Sequence, residues 1–351
     1  MKRLTLAVVL ALALVMAIGI VPAMAEDIPT TVTVQGGTTT PPIIKCKWER
    51  DTSPCMEEAD PSHAIPGSQF LPPCEYDVYM DVEYWVIVTD PEGVGTVKQV
   101  TVDVYHPAGP PLFGSFKYQV ILEKQDKATV GKPAYTAARD AGLIAYNDGY
   151  DDAEVWDELD KCTADVYKGV GQLHYHQPCG DYLVVADACD NGNAWASQAE
   201  THLENTFEYV CTSCMEIDFD SLDYGTVEVL TNKWIAGDTV FDDPVGPAPV
   251  PNRPTVRNIG NCDIQITVSQ DDMGFGFSGP ASEPDWNVEY DARMGSDTVN
   301  EVVYAPYEEV VLPNKLPLCN TEELDFSIHV KKSMAMTHSG VMTLGCVMAS
   351  F

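Results

Sequence analysis

The chain has 351 residues, of which 45% are hydrophobic, so it can bury a sizeable core and form about two domains of ordinary size. Its formal net charge is −33, with 53 acidic residues against 20 basic ones. Because binding to a phosphate backbone requires lysine and arginine to replace counterions, this charge excludes nucleic acid as an expected partner.

The first 25 residues have the pattern of a secretory signal peptide. Lys2 and Arg3 give a positive start, residues 4–21 form an apolar run, and Ala23 and Ala25 supply the small residues of a cleavage site. We therefore predict a secreted protein that is extracellular or on the cell surface. No later apolar run reaches about 18 residues, so no membrane span is expected after signal removal.

Residues 26–44 form an N-terminal arm rich in threonine, glycine and proline. Within it, Thr31–Val34 has the composition of a short strand. Two interpretations stay open at this point. The arm is either a loosely tethered terminus or a strand donated to the sheet of a neighbouring molecule.

Residues 45–211 are predicted to form a β-sandwich. Apolar and polar residues alternate from Tyr76 to Val88, which places one set of side chains in a core and the other in water. A helical insertion is expected near 134–162, where alanine and leucine are frequent and β-branched residues are few. Asp151 and Glu154 resemble a capping box at the start of its second helix.

Residues 212–351 are predicted to form a second β-sandwich. Ile264, Ile266 and Val268 alternate with polar residues, and so do the apolar residues of 324–330. Short strands separated by Gly, Pro, Asn and Asp turns, with almost no helical pattern, favour this architecture. The expected fold class is therefore mainly β, with two sandwich domains.

Three stretches carry a family resemblance. Gly180–Ala186 followed by Asp190–Asn193 resembles the last hairpin of immunoglobulin-like and PKD-like modules, although the Trp-Asp-Phe-Gly-Asp signature of PKD modules is missing. Leu222–Val227 and Arg257–Ile264 are similar to the opening strands of Hydin-type immunoglobulin-like modules. Such modules occur in archaeal surface-layer (S-layer) and sheath proteins. The resemblance implies two immunoglobulin-like sandwiches in an archaeal cell-surface protein.

The chain has eleven cysteines, which are expected to form disulfides in an exported protein. Because the number is odd, at least one thiol is free or bonds to another chain. Cys211 and Cys214 form a Cys-x-x-Cys pair, but no second such pair completes a zinc site, so structural disulfides are expected. The disulfide candidates are Cys46, Cys55, Cys74, Cys162, Cys179, Cys189, Cys211, Cys214, Cys262, Cys319 and Cys346.

Two acidic clusters near glycine turns offer the oxygen ligands that calcium prefers. Helix capping with solvated charge is the simpler interpretation of the first cluster, and a tight Asn-Gly turn is the simpler interpretation of the second. The candidate calcium ligands are Asp148, Asp151, Asp152 and Glu154 in the first cluster, and Asp190, Asn191 and Asn193 in the second.

His174 and His176 are candidate ligands of a transition metal. Residues i and i+2 of a strand project to the same face, so both imidazoles could meet one ion. No third ligand is identifiable from the sequence, and two surface histidines are the simpler interpretation.

The chain has no Gly-x-Ser-x-Gly, no His-Glu-x-x-His and no phosphate loop, so we predict that it is not an enzyme. The favoured function is a structural subunit of an extracellular layer, sheath or fibre, which self-associates through sandwich edges and disulfides. Its expected partners are further copies of itself or other surface proteins, and calcium is the one cofactor considered. The alternative is a cell-surface module that binds carbohydrate or a metal ion.

Overall fold

The computed structural model describes residues 40–51, 69–109, 111–242, 253–277, 286–333 and 336–349. The predicted signal peptide, residues 26–39 of the predicted arm and Cys55 lie outside the described residues. In the part of the chain that is described, no helix is long and apolar enough to cross a membrane.

The first half of the described chain forms one nine-stranded sheet. The strands are β1 (Ile43–Asp51), β2 (Gln69–Phe70), β3 (Tyr79–Thr89), β4 (Val97–Tyr105), β5 (Phe116–Lys124), β6 (Ala145–Tyr146), β7 (Ala164–His174), β8 (Gly180–Asp190) and β9 (Leu203–Tyr209). Their order is β2-β9-β8-β4-β5-β7-β3-β1-β6. β5 pairs with β4 along most of its length and with β7 only at Glu123 and Lys124, so it joins two halves of the sheet.

The two halves enclose the first hydrophobic core. Met80, Val82 and Tyr84 of β3 contribute to it, together with Val102 of β4 and Val184 of β8. The period of two along β3 is the period that the sequence shows, because alternate side chains of a strand point to opposite faces. This burial supplies the main stabilisation of the first half.

Two helices cover the opposite face of β1, β3 and β7. They are α1 (Lys132–Asp140) and α2 (Asp152–Lys161), and the insertion predicted near 134–162 covers α2 and all but the first two residues of α1. Val155 and Leu159 of α2 pack into a second core with Trp48 and Trp85, whose rings stack with centroids 5.5 Å apart. β3 is therefore buried on both faces over this stretch.

The second half of the described chain forms two further sheets around a core of their own. The strands are β10 (Met215–Ile217), β11 (Asn232–Ile235), β12 (Thr255–Asn258), β13 (Ile264–Gln270), β14 (Val288–Met294), β15 (Val302–Tyr304), β16 (Val310–Val311), β17 (Thr321–Val330) and β18 (Met342–Met348). The larger sheet has the order β10-β12-β17-β14-β15, with β11 also paired to β17. The smaller sheet has the order β16-β13-β18. The predicted fold class, mainly β with sandwich-type cores and a short helical insertion, is confirmed.

The two halves meet at a polar and covalent junction. Cys74 and Cys214 form a disulfide across it. The guanidinium of Arg257 lies 3.4 Å from the ring centroid of Tyr76, so a cation–π contact adds to the bridge. Buried Asn261 donates from Nδ2 to the carbonyl of Val210 at 2.9 Å. These contacts fix the connection between the sandwiches.

Candidate functional site

A cleft of about 1000 Å³, lined by both apolar and polar residues, opens at one edge of the second sandwich. Met215 and Ile217 of β10 line one side, and Met342 and Leu344 of β18 line another, with Ile328 of β17 between the sheets. Side chains that pack on the core are therefore partly uncovered along this edge. A cleft of this size and mixed lining suits an extended segment in which apolar and polar side chains alternate.

Strand β18 is the edge strand beside this cleft. It pairs with β13 from Met342 to Met348, and no strand pairs with its other side within the described part of the chain. Its sequence, MTLGCVM, has no charged residue. Natural edge strands usually carry lysine, proline or a bulge that prevents pairing with other chains. β18 has neither a charge nor a proline, and Val347 is 41% exposed.

The sequence did not reveal this cleft. Its alternation indicates that 341–348 forms a strand, but the pattern of one strand does not show which neighbours it pairs with. The missing charges of the same segment were the available signal, since edge strands need protection and central strands do not.

A second candidate site is a group of three carboxylates. Asp90 follows β3, Glu92 lies in the same turn, and Asp190 ends β8. Their ligand oxygens lie within 4.8 Å of one another, and no other such group occurs among the described His, Cys, Asp and Glu residues. Val97, at the start of β4, pairs with Asp190, and this register brings the end of β8 to the turn between β3 and β4.

The electrostatics of this group favour a cation. Asp90 is 4% exposed and Asp190 is 1% exposed. In each residue Oδ1 accepts a backbone N–H, from Glu92 and Ala194 respectively, both at 2.8 Å. Oδ2 of each is buried without a hydrogen-bond partner. Burial raises the pKa of Asp90, against the opposing effect of the Glu92 N–H. Two buried oxygens near a third carboxylate are suitable ligands for Ca²⁺.

The second predicted calcium cluster contributes one residue to this group. Asp190 belongs to it, whereas Asn191 and Asn193 serve the adjoining turn through their backbone N–H groups. Asp90 and Glu92 were missed, because the sequence shows them only as a turn between two strands. Their proximity to Asp190 depends on the strand order of the sheet.

The first predicted calcium cluster lies around the start of α2. Asp151 is the N-cap residue, and its Oδ1 accepts the N–H of Glu154 at 3.0 Å. Asp152 accepts from the hydroxyl of Tyr135 at 2.8 Å. Asp148 is exposed in the preceding turn. The capping interaction is in place, and calcium binding by this cluster stays a prediction.

His174 and His176 are brought together, with their Nδ1 atoms 2.5 Å apart. His174 is the last residue of β7, and His176 lies in the turn that follows. The other ring nitrogen of His174 contacts Asp77 at 3.1 Å. Burial, followed by the charge of His174, lowers the pKa of His176 and so favours the neutral form that a metal requires. Transition-metal binding here stays a prediction.

Four of the predicted disulfide cysteines form two bonds, Cys74–Cys214 and Cys179–Cys211. Cys211 and Cys214 therefore have different partners, although they lie in one Cys-x-x-Cys motif. The other described cysteines have free thiols, of which Cys46, Cys189 and Cys262 are buried, Cys346 is half-buried, and Cys162 and Cys319 are exposed.

Neither a protein-family model nor a curated protein matches the chain. Among solved structures, it is similar to the CsuC–CsuE chaperone–tip adhesion subunit pre-assembly complex from archaic chaperone-usher Csu pili of Acinetobacter baumannii. The two chains are 8% identical with a TM-score of 0.27, and the match covers 80% of this chain and 96% of that one. At this TM-score the likeness supports no statement about the function of this chain.

Proposed function

We propose that this protein is a structural subunit of an extracellular layer, sheath or fibre, and that copies join by adding a strand to β18. One observation carries the proposal: an uncharged edge strand lies beside an open cleft whose lining is in part apolar. Strand addition gains backbone hydrogen bonds along the edge and burial of alternate side chains in the cleft. The protein is not an enzyme in this proposal, and the archaeal surface layer is the setting that the sequence resemblance favours.

The proposed occupant of the cleft is the N-terminal arm of a second copy. Its residues 26–39 lie outside the described residues and include the strand-like sequence Thr31–Val34. Fourteen extended residues span about 45 Å, which exceeds the length of the seven-residue strand β18. Val32 and Val34 would point to one face, as insertion beside Met342 and Leu344 requires.

The exposed thiols of Cys162 and Cys319 supply the proposed bonds between copies. Among the described cysteines with free thiols, these two are the exposed ones, and four further cysteines form two internal bonds. Disulfides are typical of proteins outside the cytoplasm, which fits the predicted export. Bridges between copies would resist dissociation of an assembled layer. A ladder of covalent oligomers on a non-reducing gel, lost in a variant with both residues changed to serine, is expected.

The edge proposal is tested with the variant Val347→Lys and with a chain that lacks residues 26–39. Purified wild-type protein is expected to form ordered polymers, visible by electron microscopy and sedimentation. Both variants are expected to remain monomeric, because one places a charge on the edge strand and the other removes the donated strand. Val299→Lys is the matched control, since Val299 is 85% exposed and lies outside β18.

Three outcomes would contradict this proposal. The first is a wild-type protein that stays monomeric over a wide range of protein and calcium concentrations. The second is assembly by Val347→Lys at the wild-type rate. The third is an equal loss of assembly in Val299→Lys, which would show that added charge acts through solubility and not through the edge.

A second candidate function is supported by the three carboxylates. We infer that a surface module binding a divalent cation would use Asp90, Glu92 and Asp190, because two buried oxygens of this group have no hydrogen-bond partner. The two candidate functions are compatible, because a bound calcium ion would stabilise the fold of a structural subunit. Calorimetry with Ca²⁺ and a polymerisation assay measure them independently.

A further inference from the structure

Three side chains with complementary chemistry meet inside the first sheet. Lys47 and Glu49 lie on β1, and Asn205 lies on β9. Lys47 Nζ donates to Glu49 Oε1 at 2.7 Å, and Asn205 Nδ2 donates to Glu49 Oε2 at 2.8 Å. One carboxylate therefore holds a primary amine and a carboxamide on its two oxygens.

Two members of this group are fully buried beside the first hydrophobic core, and Asn205 is half-buried. The side chains of Lys47 and Glu49 are 0% and 1% exposed. Asn205 falls between the core residues Leu203 and Phe207, in the period of two that faces the core. Its Oδ1 is buried without a hydrogen-bond partner. A buried ion pair is a weak source of stability, so the position calls for another explanation.

The environment favours a reactive amine. Burial lowers the pKa of Lys47, against the opposing effect of Glu49. The ion pair and the neutral amine–carboxylic acid pair contain the same protons and differ only in whether one of them is bound to Nζ or to the carboxylate oxygen. In the neutral pair, Lys47 has a free electron pair on Nζ and Glu49 has a proton to give. A desolvated lysine beside a proton carrier is an activated nucleophile.

We propose that Lys47 and Asn205 are joined by an intramolecular amide bond, formed with Glu49 as the proton carrier. Nζ attacks Cγ of Asn205 and forms the new C–N bond, while the bond from Cγ to Nδ2 breaks. Glu49 takes a proton from Nζ and delivers one to Nδ2, which leaves as ammonia. The reaction needs no oxidant, reductant or co-reactant: an amine and a carboxamide give a substituted amide and ammonia.

The proposed bond does not depend on self-association. It would connect the first and last strands of the nine-stranded sheet in chain order, β1 and β9. The loop closed in this way contains most of the first core and both helices. A cross-link over so long a loop restricts the unfolded chain strongly, as a disulfide does. Unlike a disulfide, it survives reduction.

The test is the mass of the full chain, denatured, reduced and alkylated. The expected mass is below the sequence mass by one ammonia, and fragmentation of the digest is expected to show a branched peptide joining Lys47 to Asn205. Lys98 and Asn193 provide an internal control. Their side chains are hydrogen-bonded at 2.6 Å on the exposed surface, and they should remain unlinked.

Two variants separate the chemistry from the fold. Glu49→Gln keeps both reacting groups and is expected to show the full sequence mass, as is Lys47→Met. An unaltered mass of the wild-type chain would overturn the proposal. So would an ammonia loss that fragmentation assigns to other residues, or a cross-link that persists in Glu49→Gln. Because the wild-type mass is decisive by itself, the result does not depend on the folding of either variant.

Discussion

At the scale of single residues, Asp90 and Asp190 each bury a carboxylate oxygen that has no hydrogen-bond partner. Such a group normally costs free energy in the folded state, because water no longer solvates it. A bound cation would replace the lost solvation. Substitutions at both residues should therefore change the free energy of unfolding by measurable amounts.

The first prediction concerns calcium. Ca²⁺ at one hundred times its dissociation constant should raise the free energy of unfolding by about 2.7 kcal/mol. Asp190→Asn should abolish this response while leaving the protein folded. Asp148→Asn, at an exposed position of the other acidic cluster, should respond like the wild type. Differential scanning calorimetry with Ca²⁺ or EDTA measures both, and an unchanged response in Asp190→Asn would refute the site.

The second prediction concerns pH in the absence of metal. Because the pKa of Asp90 is raised by burial, its ionised form destabilises the fold at pH values above that pKa. Protonation relieves the effect as the pH falls through the folded-state pKa. Asp90→Asn should therefore be more stable than the wild type at neutral pH in EDTA, and the difference should shrink toward acid. Urea unfolding at several pH values tests this, and a constant difference would contradict it.

Residue patterns revealed part of these sites. The acidic hairpin at Asp190 and the histidine pair are visible because their members are neighbours in the sequence. Asp90 and Lys47 gain their partners only when β3 approaches the end of β8 and when β1 faces β9. Such pairings depend on long-range strand order, which local composition does not encode.

At the scale of elements, α2 shows how far a local signal reaches. The capping box of Asp151 and Glu154 predicts that a helix starts after Asp151, and the structure has a helix from Asp152 to Lys161. The information is contained within about ten residues. The open edge at β18 is different, because no other described strand pairs there, and a local pattern does not specify which strands become neighbours.

The third prediction separates capping from metal binding at α2. Asp151→Ala should lower the free energy of unfolding by about 1 kcal/mol, because the N–H of Glu154 loses its acceptor. The stabilisation by Ca²⁺ should be unchanged. Asp151→Asn, which keeps an acceptor oxygen, should recover most of the loss. If Asp151→Ala instead removes the calcium response, the first acidic cluster is a metal site.

At the scale of the whole molecule, two disulfides meet at the segment that connects the sandwiches. Cys211 and Cys214 bond to Cys179 and Cys74, at sequence separations of 32 and 140 residues. The longer loop has the larger closure entropy. Cysteine spacing predicts that bridges form, but the choice of partners follows from the assembled fold.

The fourth prediction ranks these bonds. Replacing both Cys74 and Cys214 with serine should lower the free energy of unfolding by about 5 kcal/mol, and replacing Cys179 and Cys211 by about 4 kcal/mol, from loop entropy alone. Denaturant unfolding monitored by tryptophan fluorescence measures the two values. Changing Cys162 to serine provides the control, because this exposed thiol closes no loop within the chain. A larger loss for the shorter loop would contradict the entropic ranking.

The Cys74–Cys214 bond has a mechanical consequence. In a fibre under tension, force enters a subunit near one terminus and leaves near the other. The disulfide transmits the force directly from Cys74 to Cys214. The chain between these two residues, which are 140 positions apart, is therefore bypassed. Strands β3 to β9 and both helices then bear almost no load. A pulled subunit would lengthen through its remaining parts while most of the first sandwich keeps its shape.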